Sequence, residues 1–420
     1  MKVKVFLGCL CLLIGFSFLI GNGAEAENEI TLEFWNAQVP IHMQNYLNDR
    51  AKAFETVHPN VTVNVQSFPL SEYFQKFLTA YIGGSAPDVC WVDSPMIANY
   101  VESDILLCLD DYISEEEKED YFEAPLRDMN YKGHIYTLVA HQSTEAIFYN
   151  KQMFEKAGIT DIPTSYEDAW TWDEFLEVCI KVTEINSEKD KKVWALTHEP
   201  IDTLYAVQPY IYQNNGSLLS PDSSKADGYL NSPETVEALT WWRDMFYKYK
   251  LRTIEPLPDM LPTGNAAMLQ GNPYKAYDMA QRYPDFEFGV MPLPMNVKRA
   301  VNCGGWHYCI PKQTKNREMA LEFLKWMAGK EGHKGWIETS GYMPAMKSVY
   351  EALPKFKEYP YTIYEEGLEK YAVSRPVTPA WGFMNDTFRN ILYDIATGTD
   401  VKTRLDTAVF NIERELKKYE

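Results

Sequence analysis

Apolar residues recur along the first hundred positions with two different periods. In segments 31–35 and 61–65 apolar and polar residues alternate, which predicts strands. In segments 41–58 and 74–81 the apolar residues recur every three or four positions, which predicts helices. Residues 87–91 predict a third strand. Strands that alternate with helices at this spacing indicate an α/β fold with a parallel sheet covered by helices.

Polar and aromatic residues follow two of these predicted strands. The first strand ends at Trp35 and Asn36, and the third is followed by Asp93 and Ser94. In open parallel sheets, ligands bind beyond the carboxyl ends of the strands. We therefore expect Trp35, Asn36 and Asp93 to lie on one rim and to contact a ligand.

A second informative pattern lies between residues 302 and 327. Gly304 and Gly305 allow the backbone to approach a ligand closely, and Trp306 offers a flat apolar face with one N–H donor. A short strand is predicted after Trp306, and a helix over 317–327 with Asn316 at its N-cap. Without further information this is a loop, a strand and a helix with an aromatic residue on the loop.

Length and charge narrow the classes of protein. A chain of 420 residues usually forms two or more domains. The net charge of −19 argues against nucleic acid or an anionic membrane surface as a partner. A strongly acidic surface otherwise mainly promotes solubility.

The amino terminus has the pattern of an export signal. Lys2 and Lys4 precede an apolar run over residues 5–20, and Ala24-Glu25-Ala26 is a cleavage site of the A-x-A type. We expect cleavage after Ala26 and an exported protein that is periplasmic or attached to the cell surface. The alternative is an amino-terminal membrane anchor, because the apolar run is only slightly shorter than a membrane span.

Five cysteines remain after removal of this segment, namely Cys90, Cys108, Cys179, Cys303 and Cys309. An odd number in an exported protein leaves at least one free thiol or an intermolecular bridge. Cys90 and Cys179 are expected in the core, whereas Cys303 and Cys309 could pair across the glycine turn. No C-x-x-C or His-rich spacing indicates zinc, and we expect no metal and no cofactor.

Motifs of well-known catalytic sites are missing from the sequence. It contains no G-x-S-x-G, H-E-x-x-H, Walker or G-x-G-x-x-G pattern. We expect no enzyme, but missing motifs do not by themselves exclude one. A glycosidase needs only two carboxylates beside the scissile bond, so an enzyme that acts on exported polysaccharide stays open as an alternative.

Several short motifs, taken in order, resemble a known family. They are Trp35, Pro87-Asp88, Tyr149-Asn150-Lys151, Gly271, Gly304-Gly305-Trp306, Thr339-Ser340-Gly341-Tyr342 and Trp381. This order is similar to that of the bacterial extracellular solute-binding proteins of family 1, the maltose-binding-protein type of carbohydrate receptor. The resemblance implies a two-lobe periplasmic-binding-protein fold of type II. It implies an amino-terminal lobe over 27–142 and 307–343, and a carboxy-terminal lobe over 143–306 and 344–420.

The resemblance also assigns ligand contacts. Ser143 and Glu145 precede the tyrosine of the Tyr-Asn-Lys motif by six and four positions and would face the ligand, although Glu145 could equally be solvated or ion-paired. Asn214 would reach the ligand unless it only forms an Asn-Gly turn. In the family, aromatics stack on the sugar, and Tyr274 stands here where relatives carry tryptophan. The implied set is Trp35, Asn36 and Asp93 from one lobe, Glu145, Tyr274, Trp306 and Trp381 from the other, together with Ser143, Asn214, Gly305 and Tyr342.

The function implied by the resemblance is capture of a carbohydrate between the lobes by hinge closure. The receptor, expected to be a monomer, would then deliver the sugar to the membrane permease of an ABC importer. Three alternatives remain open at this point: a secreted glycoside-acting enzyme, a receptor for a polyol or glycerol phosphate, and a surface protein without a small ligand.

Overall fold

The computed structural model describes residues 29–198 and 204–419. The predicted signal segment, residues 1–26, lies outside these ranges. Within them, no helix combines the length and the apolar character that a membrane crossing requires.

The amino-terminal part of the chain alternates strands and helices, as its apolar pattern predicts. Its elements are β1 (Ile30–Ala37), α1 (Ile41–Val57), β2 (Val61–Phe68), α2 (Leu70–Ile82), β3 (Val89–Asp93), α3 (Ile97–Glu102), α4 (Glu115–Glu119), α5 (Glu123–Met129), β4 (Asn130–Tyr131), β5 (His134–Ile135) and β6 (Thr137–Val139). The strands and helices predicted over the first hundred residues are confirmed.

The middle of the chain supplies a second set of strands and their covering helices. Its elements are β7 (Ala146–Asn150), α6 (Lys151–Lys156), α7 (Trp172–Asn186), β8 (Trp194–Thr197), α8 (Leu204–Gln213), α9 (Pro233–Phe246), β9 (Ala266–Gly271), α10 (Tyr274–Arg282) and β10 (Phe288–Met291).

The carboxy-terminal part returns to the first set of strands and ends in helices. Its elements are β11 (Val301–Cys303), β12 (Trp306–Cys309), α11 (Arg317–Ala328), α12 (Lys330–Ser340), α13 (Lys347–Ala352), α14 (Tyr361–Glu366), β13 (Ala372–Ser374), α15 (Trp381–Ala396) and α16 (Val401–Leu416). The helix predicted over 317–327 is confirmed.

Two mixed sheets organise the molecule. The first has the strand order β2-β1-β3-β12-β6, and only β12 runs against the other four strands. The second has the order β10-β7-β9-β8, and only β7 runs against the others. Each sheet is flanked by helices, and all strands but one in each sheet run in the same direction. The predicted α/β class is therefore confirmed.

The connections between the two sheets lie side by side. The backbones of Ser143 and Gly304 exchange two hydrogen bonds, of 2.7 and 3.2 Å. Gln142 and Met343 exchange two more, of 3.0 and 3.2 Å. Segments from three distant parts of the chain therefore meet at this crossing, and we call residues 140–143, 304–305 and 341–343 the crossing segments.

The position of Trp306 corrects one expectation. We expected Trp306 to act from the lobe that contains Glu145 and Tyr274. Instead, Trp306 opens β12 and pairs with Asp93 of β3, so it belongs to the first sheet. Trp306 was placed in the same lobe as Gly304 and Gly305 because it follows them directly in the sequence. The chain, however, crosses to the first sheet between Gly305 and Trp306.

The starts of α7 and α11 are satisfied in different ways. Thr171 caps α7, because its hydroxyl accepts the Glu174 N–H while the Glu174 carboxylate accepts the Thr171 N–H. Asn316 precedes α11 as expected, but its side chain does not cap the helix. Its amide donates instead to the Thr31 carbonyl oxygen at 3.1 Å, which ties α11 to β1.

The cysteines correct another expectation. Cys90 and Cys179 are buried as predicted, but Cys303 and Cys309 do not pair and are free thiols. The sulfur of Cys309 lies 3.3 Å from that of Cys90 instead, because the two residues are direct neighbours across β12 and β3. Cys303 lies on β11, beside Ser374 of β13.

Candidate ligand-binding site

A cavity of about 820 Å³ lies between the two sheets. Its lining includes Asp93 at the end of β3, Trp306 at the start of β12 and Gly271 at the end of β9. The crossing segments close one side of it through His141, Gly305 and Tyr342. The volume is at the upper end of the range of roughly 300–1,000 Å³ that is typical of small-molecule sites.

Aromatic rings form the wall contributed by the first sheet and α2. Trp306 stacks on Phe74 with ring centroids 5.8 Å apart and an interplanar angle of 7°. It also contacts Trp91, with ring centroids 5.7 Å apart and an interplanar angle of 33°. Trp306 is only partly buried, whereas Trp91 is fully buried beneath it. One broad apolar ring is thus held rigidly at the cavity surface.

A second aromatic stack lies at the crossing segments. His141 and Tyr342 are parallel, with centroids 3.7 Å apart, and Tyr274 lies 5.2 Å from Tyr342. Burial lowers the pKa of His141 well below its usual value, so the imidazole is neutral. Its Nδ1 accepts the Trp336 indole N–H at 3.1 Å, and the proton therefore resides on Nε2.

Gly305 makes this arrangement possible. A Cβ atom at this position would lie 2.0 Å from the carbonyl oxygen of His141, which is far inside van der Waals contact. Only glycine therefore allows the two crossing segments to approach this closely. The close approach shown here is to backbone, and the expected close approach to a ligand stays a prediction.

Asp93 lines the cavity as predicted, but its carboxylate is already engaged. Both oxygens accept hydrogen bonds from Arg375, at 2.6 and 2.7 Å. Burial opposes the charge of Arg375, yet the Asp93 carboxylate outweighs it and raises the Arg375 pKa, so the guanidinium is charged. The guanidinium also lies over the rings of Tyr205 and Trp381, at 5.2 and 5.8 Å. Trp381 lines the cavity while being only 3% exposed.

Glu145 lines the cavity, but its side chain is buried and not solvated. The residue is 1% exposed, and its carboxylate accepts hydrogen bonds at 2.8 Å from Gln270 and Asn302 and contacts His198 Nε2 at 2.8 Å. Both oxygens are therefore occupied by protein groups. The interpretation of Glu145 as a paired carboxylate is confirmed, and direct acceptance of two ligand hydroxyls is not supported by this geometry.

Ser143 lies between the two halves of the site. Its hydroxyl donates to the Asn272 side-chain oxygen at 2.8 Å and is 3.2 Å from the Tyr205 hydroxyl. All three residues line the cavity. Ser143 thus orients the amide of Asn272 at the end of β9, a residue that the sequence did not single out.

Three predicted residues are not brought to this cavity. Trp35 packs edge-on against Phe68 at 4.8 Å and lines a separate groove along α2. Asn36 is fully buried and donates to the Ala37 carbonyl oxygen and to Gln44 and Ser67. The Asn214 side chain bonds to groups of α9 and to Asn296. These three residues therefore do not line this cavity, and their contact with a ligand stays a prediction.

The other eight predicted residues line the cavity, which brings together positions from six parts of the sequence: Asp93, Ser143, Glu145, Tyr274, Gly305, Trp306, Tyr342 and Trp381. The residues that were missed are Phe74, Trp91, His141, Tyr205, Asn272 and Arg375. Asn272 directly follows β9 and His141 lies two positions after the end of β6, so the rule that ligands bind beyond strand ends could have identified them. Phe74 and Trp91 carry only the pattern of core residues.

Comparisons of the sequence with known proteins agree with this architecture. An arabinooligosaccharide-binding protein from Bacillus subtilis is 25% identical over 84% of this chain and 81% of its own length. A maltotriose-binding protein from Pyrococcus abyssi is also 25% identical, over 86% of this chain and 77% of its own. Both relatives carry the names of binding proteins and not of enzymes.

Solved structures show the same fold. The GacH receptor of Streptomyces glaucescens, determined unliganded and with acarbose, superimposes with a TM-score of 0.82 at 23% identity, over 94% of this chain and all of that one. An ABC substrate-binding protein of Listeria monocytogenes in complex with cycloalternan gives 0.81 at 24%, over 93% and 100%. A family model described as bacterial extracellular solute-binding protein matches residues 49–362. The chain therefore belongs to the bacterial extracellular solute-binding proteins.

Proposed function

We propose that this protein captures a neutral carbohydrate, an oligosaccharide of a few units, between its two lobes and delivers it to the permease of an ABC importer. The observation that carries the proposal is the pair of aromatic groups around one cavity. Trp306 of the first sheet stacks on Phe74 of α2 and presents a flat apolar ring. Tyr274, which begins α10 after β9 of the second sheet, lies beside Tyr342 and presents another flat apolar face. Sugar rings offer such faces, and the names of the two relatives point to the same ligand class.

The charges around the cavity favour a neutral ligand. Asp93 and Arg375 neutralise each other, and Glu145 is enclosed by donors of the protein. Farther out, the cavity is lined by Lys275 and Arg389 but also by Asp386 and Glu415, so neither sign dominates. A phosphorylated or carboxylated ligand would need an excess of cationic groups. Hydroxyls need only a mixture of donors and acceptors.

The lobe division proposed from the sequence needs one change. We propose that the amino-terminal lobe consists of residues 27–142 and 306–343. This division places Trp306 in the amino-terminal lobe. The carboxy-terminal lobe would contain 143–305 and 344–420. Ligand contacts from both lobes would then favour a closed state, since only contacts made in that state shift the equilibrium toward it.

Export completes the proposal. We infer that the segment ending at Ala26 directs secretion and is removed, and that the mature receptor works as a monomer outside the cytoplasm. Intact-mass measurement of the exported protein tests the cleavage site. A mass that corresponds to a chain starting at Glu27 is expected, and a mass that retains residues 1–26 would contradict it.

Thermal unfolding of the mature protein against a panel of mono- and oligosaccharides tests the function. A ligand at a hundred times its dissociation constant stabilises the folded state by about 2.7 kcal/mol. At this size that should raise Tm by a few degrees. A shift with an oligosaccharide and no product by chromatography is the expected result. A shift with a polyol only, or a shift that decays as product forms, would contradict the proposal.

A further inference from the structure

We propose that Cys108, Asp110 and His134 form a zinc site on the surface of the amino-terminal lobe, separate from the carbohydrate cavity. One thiol sulfur, one carboxylate oxygen and one imidazole nitrogen lie within 4.8 Å of one another. None of the three residues lines the cavity between the sheets. This group could not be identified from the sequence, because His134 is distant in sequence from Cys108 and Asp110 and the spacing matches no common zinc motif.

The backbone around this group is fixed on both sides. The Leu107 N–H donates to the Ile310 carbonyl oxygen at 2.9 Å and the Leu109 N–H to that of Ile135 at 2.7 Å. Cys108 is therefore held between two anchored residues. His134 belongs to the β4–β5 hairpin, where it pairs with Tyr131. Ligand-bearing positions that are fixed in this way lose little entropy when a metal binds.

The two oxygens of Asp110 have different partners. Oδ1 accepts the Ile135 N–H at 2.8 Å, which orients the carboxylate. Oδ2 lies 2.6 Å from Nδ1 of His134. A zinc ion would replace this hydrogen bond and separate the two atoms to about 3.3 Å, given bonds of about 2.0–2.1 Å in a tetrahedral site. For these two atoms the required change in separation is less than about 1 Å.

The chemistry of the donors selects the metal. A thiolate, a carboxylate and a neutral imidazole carry two negative charges, which balance a divalent ion. Zinc accepts sulfur, nitrogen and oxygen donors, whereas calcium and magnesium require oxygen. The His134 side chain is 58% exposed, so a fourth position would face solvent and could hold water. The thiol proton of Cys108 is displaced when the ion binds.

Titration with cobalt(II) and zinc(II) tests the site in the full mature protein, kept reduced. Cobalt is expected to bind once per chain with a thiolate-to-cobalt charge-transfer absorption, and zinc to displace it. Cys108→Ser should abolish the absorption and weaken zinc binding by at least about tenfold, as even outer-shell substitutions weaken metal binding by 10–100-fold. His134→Gln should weaken zinc binding similarly while keeping the thiol.

His58→Gln is the matched control, because His58 lies 3.6 Å from the Glu322 carboxylate on the same lobe but has no thiol nearby among the described residues. It should leave both readouts unchanged. Saccharide binding, measured in parallel, should be unaffected by Cys108→Ser, so the two sites are tested independently. Absence of the absorption band, its persistence in Cys108→Ser, or equal zinc affinity in His134→Gln would overturn the proposal.

Discussion

The carboxylate of Glu145 shows how a side chain at a ligand cavity can serve the protein interior. Gln270, Asn302 and His198 all direct polar groups at its two oxygens. These residues come from β9, from β11 and from the end of β8. Glu145 therefore joins the second sheet to the crossing region, and we expect its contribution to be mainly structural.

Replacing Glu145 by glutamine should lower the free energy of unfolding by about 2–4 kcal/mol, because an amide N–H₂ would face groups that already donate. Urea unfolding of Glu145→Gln measures this. Glu322→Gln, at an exposed position on α11, serves as the control and should change stability by less than about 0.5 kcal/mol. Equal stability of the two variants would show that the network carries little energy.

Trp306 is expected to contribute most to ligand affinity. Trp306→Ala should weaken saccharide binding by about 2–4 kcal/mol, as for central aromatic residues in other interfaces. Calorimetric titration with the saccharide found in the thermal panel measures the change. Trp326→Ala removes the same ring from α11, where it packs on Arg50 and not on the cavity, and should leave affinity unchanged. Normal binding by Trp306→Ala would place the ligand elsewhere.

Residue patterns predicted the strand ends better than the directions of the side chains. The rule on strand ends located Asp93 correctly but also selected Trp35 and Asn36, whose side chains pack against β2 and α1 neighbours such as Phe68 and Gln44. Alternation along a strand does not say which face meets a cavity. Arg375 was missed as a site residue because its partner, Asp93, is 282 positions away.

The crossing segments are the elements on which the site depends. They place His141, Gly305 and Tyr342 at the cavity and join the two sheets by backbone hydrogen bonds. Gly305→Ala should destabilise the protein by about 1–3 kcal/mol, since the added methyl group meets the His141 carbonyl oxygen. Gly382→Ala, where a Cβ would meet only Met96 atoms at 3.5 Å or more, should be neutral or slightly stabilising in α15. Indistinguishable unfolding midpoints would contradict this role of Gly305.

Three buried histidines near these segments predict a loss of stability in mild acid. Burial lowers the pKa of His307 to about 3, that of His333 to about 4, and that of His141 well below normal. Below pH 6.5, approximately, the unfolded chain binds protons that the folded protein excludes, so stability falls as the pH falls. Burial raises the pKa of Asp128 to about 6, so the folded state takes up a proton at this carboxyl as the pH falls. This uptake offsets the loss of stability caused by one of the histidines.

Together these groups should lower the free energy of unfolding by on the order of 2–3 kcal/mol for each unit that the pH falls near pH 5. Urea unfolding between pH 7.5 and 4.5 measures it. His307→Asn should reduce the slope by about 1.4 kcal/mol per pH unit, because one titrating group is removed. Stability that stays constant from pH 6.5 to 4.5 would contradict the assignment of neutral buried histidines.

At the scale of elements, periodicity was sufficient for most helices and strands, because each amphipathic segment buries its own apolar face. It could not give the reversed directions of β7 and β12, which depend on pairing between distant segments. The same limit explains why Trp306 was assigned to the wrong lobe and why Asn316, at the correct helix end, bonds to β1 instead of capping α11.

The whole molecule combines two sheets, three neighbouring crossing segments and one cavity with walls from both sheets. The family order of motifs predicted this architecture, since the motifs mark the places where the chain crosses or reaches the cavity. Family membership could not predict how Glu145 and Asp93 are satisfied. Those contacts depend on side-chain orientations that no single motif records.

Small-angle X-ray scattering of the mature protein, with and without the saccharide identified in the thermal panel, tests most directly whether the ligand is held between the lobes. Because Trp306 lies in the first sheet and Tyr274 begins the helix that follows β9 of the second sheet, a ligand that contacts both should draw the two lobes together. We predict a smaller radius of gyration in the complex. The radius of gyration of the Trp306→Ala variant should not change when the saccharide concentration is below the dissociation constant of that variant. Saturated binding by the parent protein with an unchanged radius of gyration would contradict capture by closure.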